Sequence, residues 1–538
     1  MPPDFSKVVQ LEKKRLLLQM QLDVAKSQAE RNRLGQFATP PSLAEEIMRV
    51  TLSLLPAGEA IQFLDPAFGT GSFYSALLSV ANSSQIKRAW GYEIDPHYGT
   101  PTVELWRDTS LHLSVADFVS QSPSHQEDDK PNLLICNPPY VRHHHIPIQE
   151  KQRLRVLTSE QTGVSLSGLS GLYCYFILLS KRWMAKNGVA CWLIPSEFLD
   201  VNYGAAIKRY LLEHVTLLRI HRFNPETVQF ADALVSSVVV WLRNEQPSTD
   251  HQVTFSYGTS IDKPETSVVA TMRELGEESK WSIFGHPIQR TITEDRNGKL
   301  RLSDLFAIKR GIATGANNFF ILTPQQIAEA QLPSQFLKPI LPSPRYLSHN
   351  EIETDKRGFP VIGKRLFLLD CDWPESLVQT RFPHLWQYLQ SGVAQGISER
   401  YLCSRRSPWY SQEQRPPAPI LCTYMGRQTE ANGNHPFRFF MNHSQAVAAN
   451  VFLLLYPTQN LRKLLHDDQG LLRSLWLRLN NLSADEMIYE GRTYGGNLHK
   501  LEPKELANAS IDNFFAYDGQ AADYEQLPLL EKVVPYNL

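Results

Sequence analysis

Four residues, Asn137-Pro138-Pro139-Tyr140, carry the sharpest chemical signal in this chain. They follow Asn132-Leu133-Leu134-Ile135-Cys136, an apolar run that predicts a buried strand ending at Asn137. Two consecutive prolines remove two backbone donors and fix two φ angles. Asn137 precedes a proline and is therefore confined to extended backbone. The expected product is a stiff loop at a strand's carboxyl end, offering a side-chain amide, unpaired carbonyls and an aromatic ring. Such a set suits the grip of a planar amine. Alone, the same residues also describe a turn after a core strand, so the weight rests on what accompanies them.

A second set lies upstream. Ile61-Gln62-Phe63-Leu64-Asp65 predicts a strand, Pro66-Ala67-Phe68-Gly69-Thr70-Gly71 a tight loop, and Ser72 to Leu78 a helix. Gly69 and Gly71 are ligand-facing candidates, because glycine lets backbone approach a bound molecule where a side chain would block it. The spacing is neither the dinucleotide fingerprint G-x-G-x-x-G nor a P-loop, which requires Gly-Lys followed by Ser or Thr. The next apolar run, Arg88 to Tyr92, ends at Glu93, where a nucleotide-binding βαβ unit places an acid on ribose hydroxyls. After a further short apolar segment, Asp117 offers an acceptor for a ring amine and Phe118 an aromatic ring beside it. Alone, that pair also reads as a turn and a core aromatic.

In order and spacing these residues resemble the gamma group of amino-methyltransferases, the TaqI-type DNA adenine-N6 methylases of type II restriction–modification systems. That family runs from Gly-Gln-Phe-x-Thr-Pro through Asp-Pro-x-x-Gly-x-Gly and Asn-Pro-Pro-Tyr to a target-recognition domain. This chain carries Gly35-Gln36-Phe37-Ala38-Thr39-Pro40, then Asp65 to Gly71, then Asn137 to Tyr140. The resemblance is specific over residues 34 to 242 and looser beyond. It implies S-adenosylmethionine as cofactor, with Thr39 at its methionine end. Asp65, Ala67, Gly69, Gly71, Glu93, Asp117 and Phe118 would contribute to the rest of the site. It also implies that Phe230, just ahead of the apolar run Val238 to Leu242, stacks on a target base swung out of the duplex.

The chemistry explains the residue types. Adenine's exocyclic amine is a poor nucleophile because its lone pair is delocalised into the ring. Two acceptors aimed at its hydrogens favour the pyramidal nitrogen that attacks a methyl group. The Asn137 side-chain oxygen and the Pro138 carbonyl are the candidates, with Tyr140 stacking on the base. Those bonds tighten as positive charge develops on nitrogen, so they act on the transition state more than on the ground state. Asn137, Pro138, Tyr140 and Phe230 form the expected catalytic set.

The elements that must position these residues alternate. A helix is expected over Tyr173–Lys186, a strand over Gly188–Pro195, a mainly helical stretch over Glu197–Glu213 and a strand over Val215–Phe223. Alternation of this kind predicts an α/β S-adenosylmethionine-dependent methyltransferase fold: a mostly parallel, doubly wound sheet with its ligand crevice at the strands' carboxyl ends. Three regions are expected: a leading helix over residues 1–34, a catalytic domain over 35–245, and a mixed α+β target-recognition domain over 246–538. The junction is placed in the polar stretch Pro247–Pro264.

Composition narrows the partners. The 538 residues exceed one ordinary core, and 42% hydrophobic with 20% charged residues describes a globular chain. The net charge is −1, so any face for double-stranded DNA has to be a local basic patch. Arg142 beside the catalytic loop, and Arg405, Arg406 and Arg427 among Trp and Tyr residues, are the candidates. Lys309 to Asn318 resembles the opening of the family's recognition domain, and Tyr494 to Leu501 a second loop near DNA. Six cysteines without a C-x-x-C pair read as reduced core residues of a cytosolic protein, and the family resemblance implies a cytoplasmic bacterial or archaeal one. His143-His144-His145 are adjacent on a loop and do not converge on one ion, so no metal is expected. No run is long and apolar enough to span a membrane, and charges interrupt any signal-peptide core.

A monomer is expected. Three other readings compete. Protein-glutamine methylases share Asn-Pro-Pro-Tyr but lack the Gly35 to Pro41 segment and a large C-terminal domain. A non-catalytic DNA-binding relative would not need to retain Asn137, Pro138, Tyr140, Glu93 and Asp117 together. A fused nuclease lacks room, since 64 residues precede Asp65, so a separate restriction endonuclease sharing the site is the expected partner.

Overall fold

The apolar runs become strands: β1 (Ile61–Asp65), β2 (Ile86–Glu93), β3 (Leu111–Val115), β4 (Leu133–Cys136), β5 (Val189–Pro195), β6 (Thr216–Phe223) and β7 (Ser237–Arg243). The structure, a computed structural model, describes residues 5–224, 236–285, 300–429, 435–468, 470–494 and 497–511. Two further strands, β8 (Gln252–Gly258) and β9 (Thr266–Thr271), complete a nine-stranded sheet in the order β3-β2-β1-β4-β5-β7-β6-β8-β9. Neighbours pair in parallel, except that β7 runs antiparallel to β5 and β6, and β9 to β8. Every residue of β4 and β5 is buried, as a central parallel strand covered on both faces requires.

Helices α1 (Phe5–Val24), α2 (Gln28–Leu34), α3 (Pro41–Ser53), α4 (Ser72–Val80), α5 (Pro96–Leu105), α6 (Ile148–Thr162), α7 (Leu172–Ser180), α8 (Ala205–Glu213) and α9 (Met272–Glu277) accompany the sheet. Alternation along the strands divides the core in two. Phe63, Leu133, Ile135 and Leu193 face α3 and α4, while Leu64, Leu134, Trp192 and Ile194 face α7 and α8. On the first face, Trp241 Nε1 donates to Thr51 Oγ1 at 2.9 Å and fastens α3 beneath β7.

The expected boundaries need correction. The leading segment is two helices. Ser27 caps the second by accepting from the Glu30 N–H, and Gly35 ends it at φ +66°. The expected helix over Tyr173–Lys186 ends at Ser180 and tightens into a 3₁₀ turn, and Glu197–Glu213 holds two such turns before α8. The domain boundary expected at 245/246 falls inside the sheet, because Val253, Phe255 and Tyr257 alternate on β8 and that strand pairs with β6. The chain instead divides into Met1–Glu294 with Thr493–Asn497, and Asp295–Arg492 with Leu498–Leu538.

The second unit mixes helices and sheet, as expected. Phe306–Arg310, Phe452–Pro457, Ile420–Thr423, Phe439–Asn442 and Glu351–Ile352 form one sheet in that order. The helix Leu471–Asn480 buries Leu475, Trp476 and Leu479 in the core that this sheet shares. A four-stranded sheet runs Ile321–Leu322, Leu366–Leu369, Leu337–Leu341, Val447–Ala448, with the helix Pro383–Ala394 contributing Leu385 and Leu389 to its core. No helix among the described residues is long and apolar enough to cross a membrane. The six cysteines are buried and free.

Candidate active site

The carboxyl ends of β1, β2 and β4 open onto a cavity of about 800 Å³. Its lining brings together Thr39, Asp65, Ala67, Gly69, Glu93, Asp117, Phe118 and Asn137. Gly71, Pro138 and Tyr140 stand behind it. The loop after β1 is held by Phe68 N–H on the Tyr92 carbonyl and Gly71 N–H on the Phe68 carbonyl, both at 2.8 Å. A Cβ on Gly71 would lie 2.6 Å from the Phe68 ring, so that glycine is required for packing. A Cβ on Gly69 would meet nothing within 4 Å, so that glycine presents bare backbone to open space.

Glu93 supports this loop from the neighbouring strand. Its carboxylate accepts from the Gly69 N–H at 2.9 Å and the Asp95 N–H at 2.8 Å, while burial raises its pKa. Ile94 follows it into the cavity wall with 64% of its surface exposed. The sequence reading missed it, although an apolar residue directly after a strand-end acid was the available signal. Asp117 caps its own turn by accepting from the Val119 N–H at 3.2 Å, and lies 3.7 Å from Arg153, which also lines the cavity. Phe118 touches the lining but is 2% exposed, packed 4.9 Å from Trp183 and 5.7 Å from Phe176.

Asp65 is fully buried. Desolvation pushes its carboxyl up to about 8, against the Ala67 N–H that favours the anion, and the neighbouring Glu93 adds to the rise. The folded chain then holds a proton that the unfolded chain releases near pH 4. Stability should therefore fall as pH rises from about 4 to about 8 and level off above. Urea unfolding of wild type and Asp65→Asn across that range checks this. Wild type should lose stability relative to the variant with rising pH, and parallel profiles would reject it.

At the end of β4, Asn137 Nδ2 donates to the Phe37 carbonyl at 2.8 Å and to Thr39 Oγ1 at 3.1 Å. A carbonyl only accepts, so this contact fixes which way the amide faces. Both amide protons are used, and Oδ1 is left as an acceptor. The Pro138 carbonyl takes no hydrogen bond from the described residues. Tyr140 differs from the open stacking surface expected. It is 8% exposed, its hydroxyl donates to the Leu193 carbonyl at 3.0 Å, and its ring lies 5.7 Å from Phe37. The hydroxyl finds its acceptor on β5, which draws the ring into the core. Its N–H donates to the Gly35 carbonyl at 3.2 Å. Phe230 lies outside the described residues.

In the second unit, three segments singled out in the sequence meet at one end of the five-stranded sheet. Arg310 lies 4.1 Å over the Tyr424 ring and Lys500 5.2 Å from it, and Met425–Arg427 pairs antiparallel with Leu498–Lys500. Arg405 is exposed and stacks 3.9 Å over Tyr401, an exposed aromatic that the sequence reading passed over. Arg427 and, in the first unit, Arg142 are also exposed. Arg406 is a correction. Its guanidinium donates to the Thr314 carbonyl at 3.0 Å, to Gln412 at 3.2 Å and to the Ala313 carbonyl, so it fastens a loop instead of reaching outward. Gly495 and Gly496 lie outside the described residues. Glu351, Glu353 and His443 bring ligand atoms within 4.8 Å of one another, but Glu351 is already paired with Arg473 and His443.

Residues 9–229 match the family model of the Eco57I restriction-modification methylase, and residues 288–532 that of the C-terminal domain of the type II methyltransferase M.Eco57I. The type II methyltransferase M.AccI of Acinetobacter calcoaceticus is 26% identical over 515 residues, which cover 92% of this chain and 88% of that protein. M.XamI of Xanthomonas campestris pv. amaranthicola is 26% identical over 493 residues, covering 89% and 85%. Among solved structures, the Type IIL restriction-modification enzyme MmeI in complex with DNA shares the fold at a TM-score of 0.51 and 12% identity. That match covers 94% of this chain and 66% of the larger enzyme.

Proposed function

Since this chain belongs to the Eco57I-type restriction–modification methylases and is thereby a sequence-specific DNA methyltransferase, we propose that it methylates N6 of adenine in duplex DNA, with S-adenosylmethionine as donor. The observation that carries this reading is the orientation of Asn137. Its amide protons are spent on Phe37 and Thr39, which leaves Oδ1 and the Pro138 carbonyl as two acceptors at one strand end. Two acceptors suit an amine that must give up ring conjugation as it becomes cationic, and they need no strong base beside them.

Bound S-adenosylmethionine would supply an electrophilic methyl group. The cavity and its lining fit that molecule. Glu93 would accept from ribose hydroxyls, Ile94 would pack beside the adenine ring, and the bare backbone at Gly69 would admit close approach. Asp117 would meet the ring amine and Phe118 would offer the ring its edge. Thr39, Asp65, Ala67 and Gly71 would shape the methionine end. Tyr140 would act as the fixed wall behind the target base, and Phe230 would stack on that base. The second unit would choose the sequence, with Arg405 and Arg427, and Arg142 from the first unit, on DNA. A separate restriction endonuclease cutting the same sequence would be the functional partner.

Modification-sensitive sequencing of DNA from cells carrying the gene tests the base. N6-methyladenine at one recurring motif is the expected result. A motif carrying N4-methylcytosine instead would refute the adenine assignment while leaving the acceptor pair in place.

A further inference from the structure

We propose that helix α1 is part of the cofactor site, with Arg15 as the residue that positions the loop Pro66 to Gly71. The inference rests on the reading of the cavity as the S-adenosylmethionine site. α1 docks mainly through polar contacts. Leu11 joins the core, while Leu16, Leu17, Met20 and Val24 stay exposed. Arg15 is 1% exposed. Its Nη1 donates to Thr70 Oγ1 at 3.2 Å and Ser72 Oγ at 3.1 Å, while Nε and Nη2 grip the Glu12 carboxylate at 2.7 and 2.6 Å. One turn on, Gln19 Oε1 accepts from the Thr70 hydroxyl at 2.5 Å.

The contacts continue around the cavity. Asp23 accepts from the Tyr98 hydroxyl at 2.8 Å. Lys26 pairs with Asp95, and Gln36 Nε2 donates to the same carboxylate at 2.8 Å. Thr70 lies within the glycine loop, and Asp95 supplies the N–H that holds Glu93. The N-terminal segment thus grips both turns that flank the cavity. An aliphatic side chain at position 15 would dock the helix without desolvating a guanidinium. It could not fix two hydroxyls of the loop. Glu12 neutralises the buried charge from the same helix, which frees Nη1 for that task.

Calorimetry and steady-state kinetics on the full chain test this. Arg15→Ala should raise the Kd and KM for S-adenosylmethionine about tenfold or more. Its kcat at saturating cofactor and its KM for DNA should stay within about twofold. Arg15→Lys, which keeps the charge but not the fork, should recover part of the loss. If Arg15→Ala does not fold, Gln19→Leu decides, because that side chain is only half buried and its loss should weaken cofactor binding in the same direction. Unchanged cofactor affinity in folded Arg15→Ala, or in both Arg15→Lys and Gln19→Leu, would overturn the inference alone. Wild-type protein that binds no S-adenosylmethionine would remove the cavity reading and this inference with it.

Discussion

Asn137→Ala should lower the single-turnover methylation rate more than about a hundredfold, while S-adenosylmethionine binds nearly as it does to wild type. On the proposed mechanism the lost Oδ1 is an acceptor aimed at charge that develops on the attacking nitrogen, and removing one such preorganised group costs on the order of 3 kcal/mol. Cofactor affinity should change little, because Glu93, Ile94 and the loop after β1 are untouched by the substitution. The Phe37 carbonyl and Thr39 hydroxyl lose their donor, so a modest fall in stability should accompany the rate loss. Rates measured at saturating cofactor and DNA separate these effects. A near-wild-type rate would remove Asn137 from the reacting centre.

Gly35→Ala should be nearly as damaging, although residue 35 carries no reactive group. A Cβ there would lie 2.2 Å from the Tyr140 nitrogen and 2.6 Å from its carbonyl carbon, both backbone atoms that no rotamer change can move. The residue also holds φ +66°, which costs a non-glycine residue about 1–2 kcal/mol. Relief requires residues 35 to 39 to draw away from the loop after β4. That motion shifts the Phe37 carbonyl and Thr39 hydroxyl, which set the Asn137 amide. Misplacement by about 1 Å at a reacting centre can cost about a hundredfold in rate. Thermal unfolding should show a folded but destabilised protein. A folded Gly35→Ala with full turnover would show that the contact between Gly35 and Tyr140 does not set the site.

The first unit was legible where chemistry and backbone constraint coincide. A double proline after an apolar run fixes a strand end whatever surrounds it, and glycines at fixed spacing mark a loop that must run close to other atoms. Asn137, Glu93, Asp65 and Asp117 therefore lie on one cavity, as their spacing implied. Directions of side chains were not legible. Nothing local says that the Tyr140 hydroxyl would find the Leu193 carbonyl, or that Arg406 would turn back onto residues 313 and 314. The boundary near residue 246 failed because a polar turn resembles a linker until β8 is seen pairing with β6. Arg15 was invisible for a related reason: an arginine on a charged helix reads as solvated, and its partners in the loop, Thr70 and Ser72, lie 55 and 57 residues away.

The bonds that set the Asn137 amide reach back 100 residues to Phe37 and 98 to Thr39. The Tyr140 hydroxyl waits on a carbonyl 53 residues ahead, and α3 is fastened by Trp241, 190 residues beyond Thr51. Contacts of such separation form slowly during folding, because loop-closure entropy is lost before any of them repays it. A nascent chain that has emerged only as far as Tyr140 already contains every residue of the acceptor loop, yet lacks the Leu193 carbonyl that holds the Tyr140 hydroxyl and the anchor for α3. Competence to modify a base is thereby coupled to completion of the sheet, and fragments released early in synthesis would lack an ordered reacting centre.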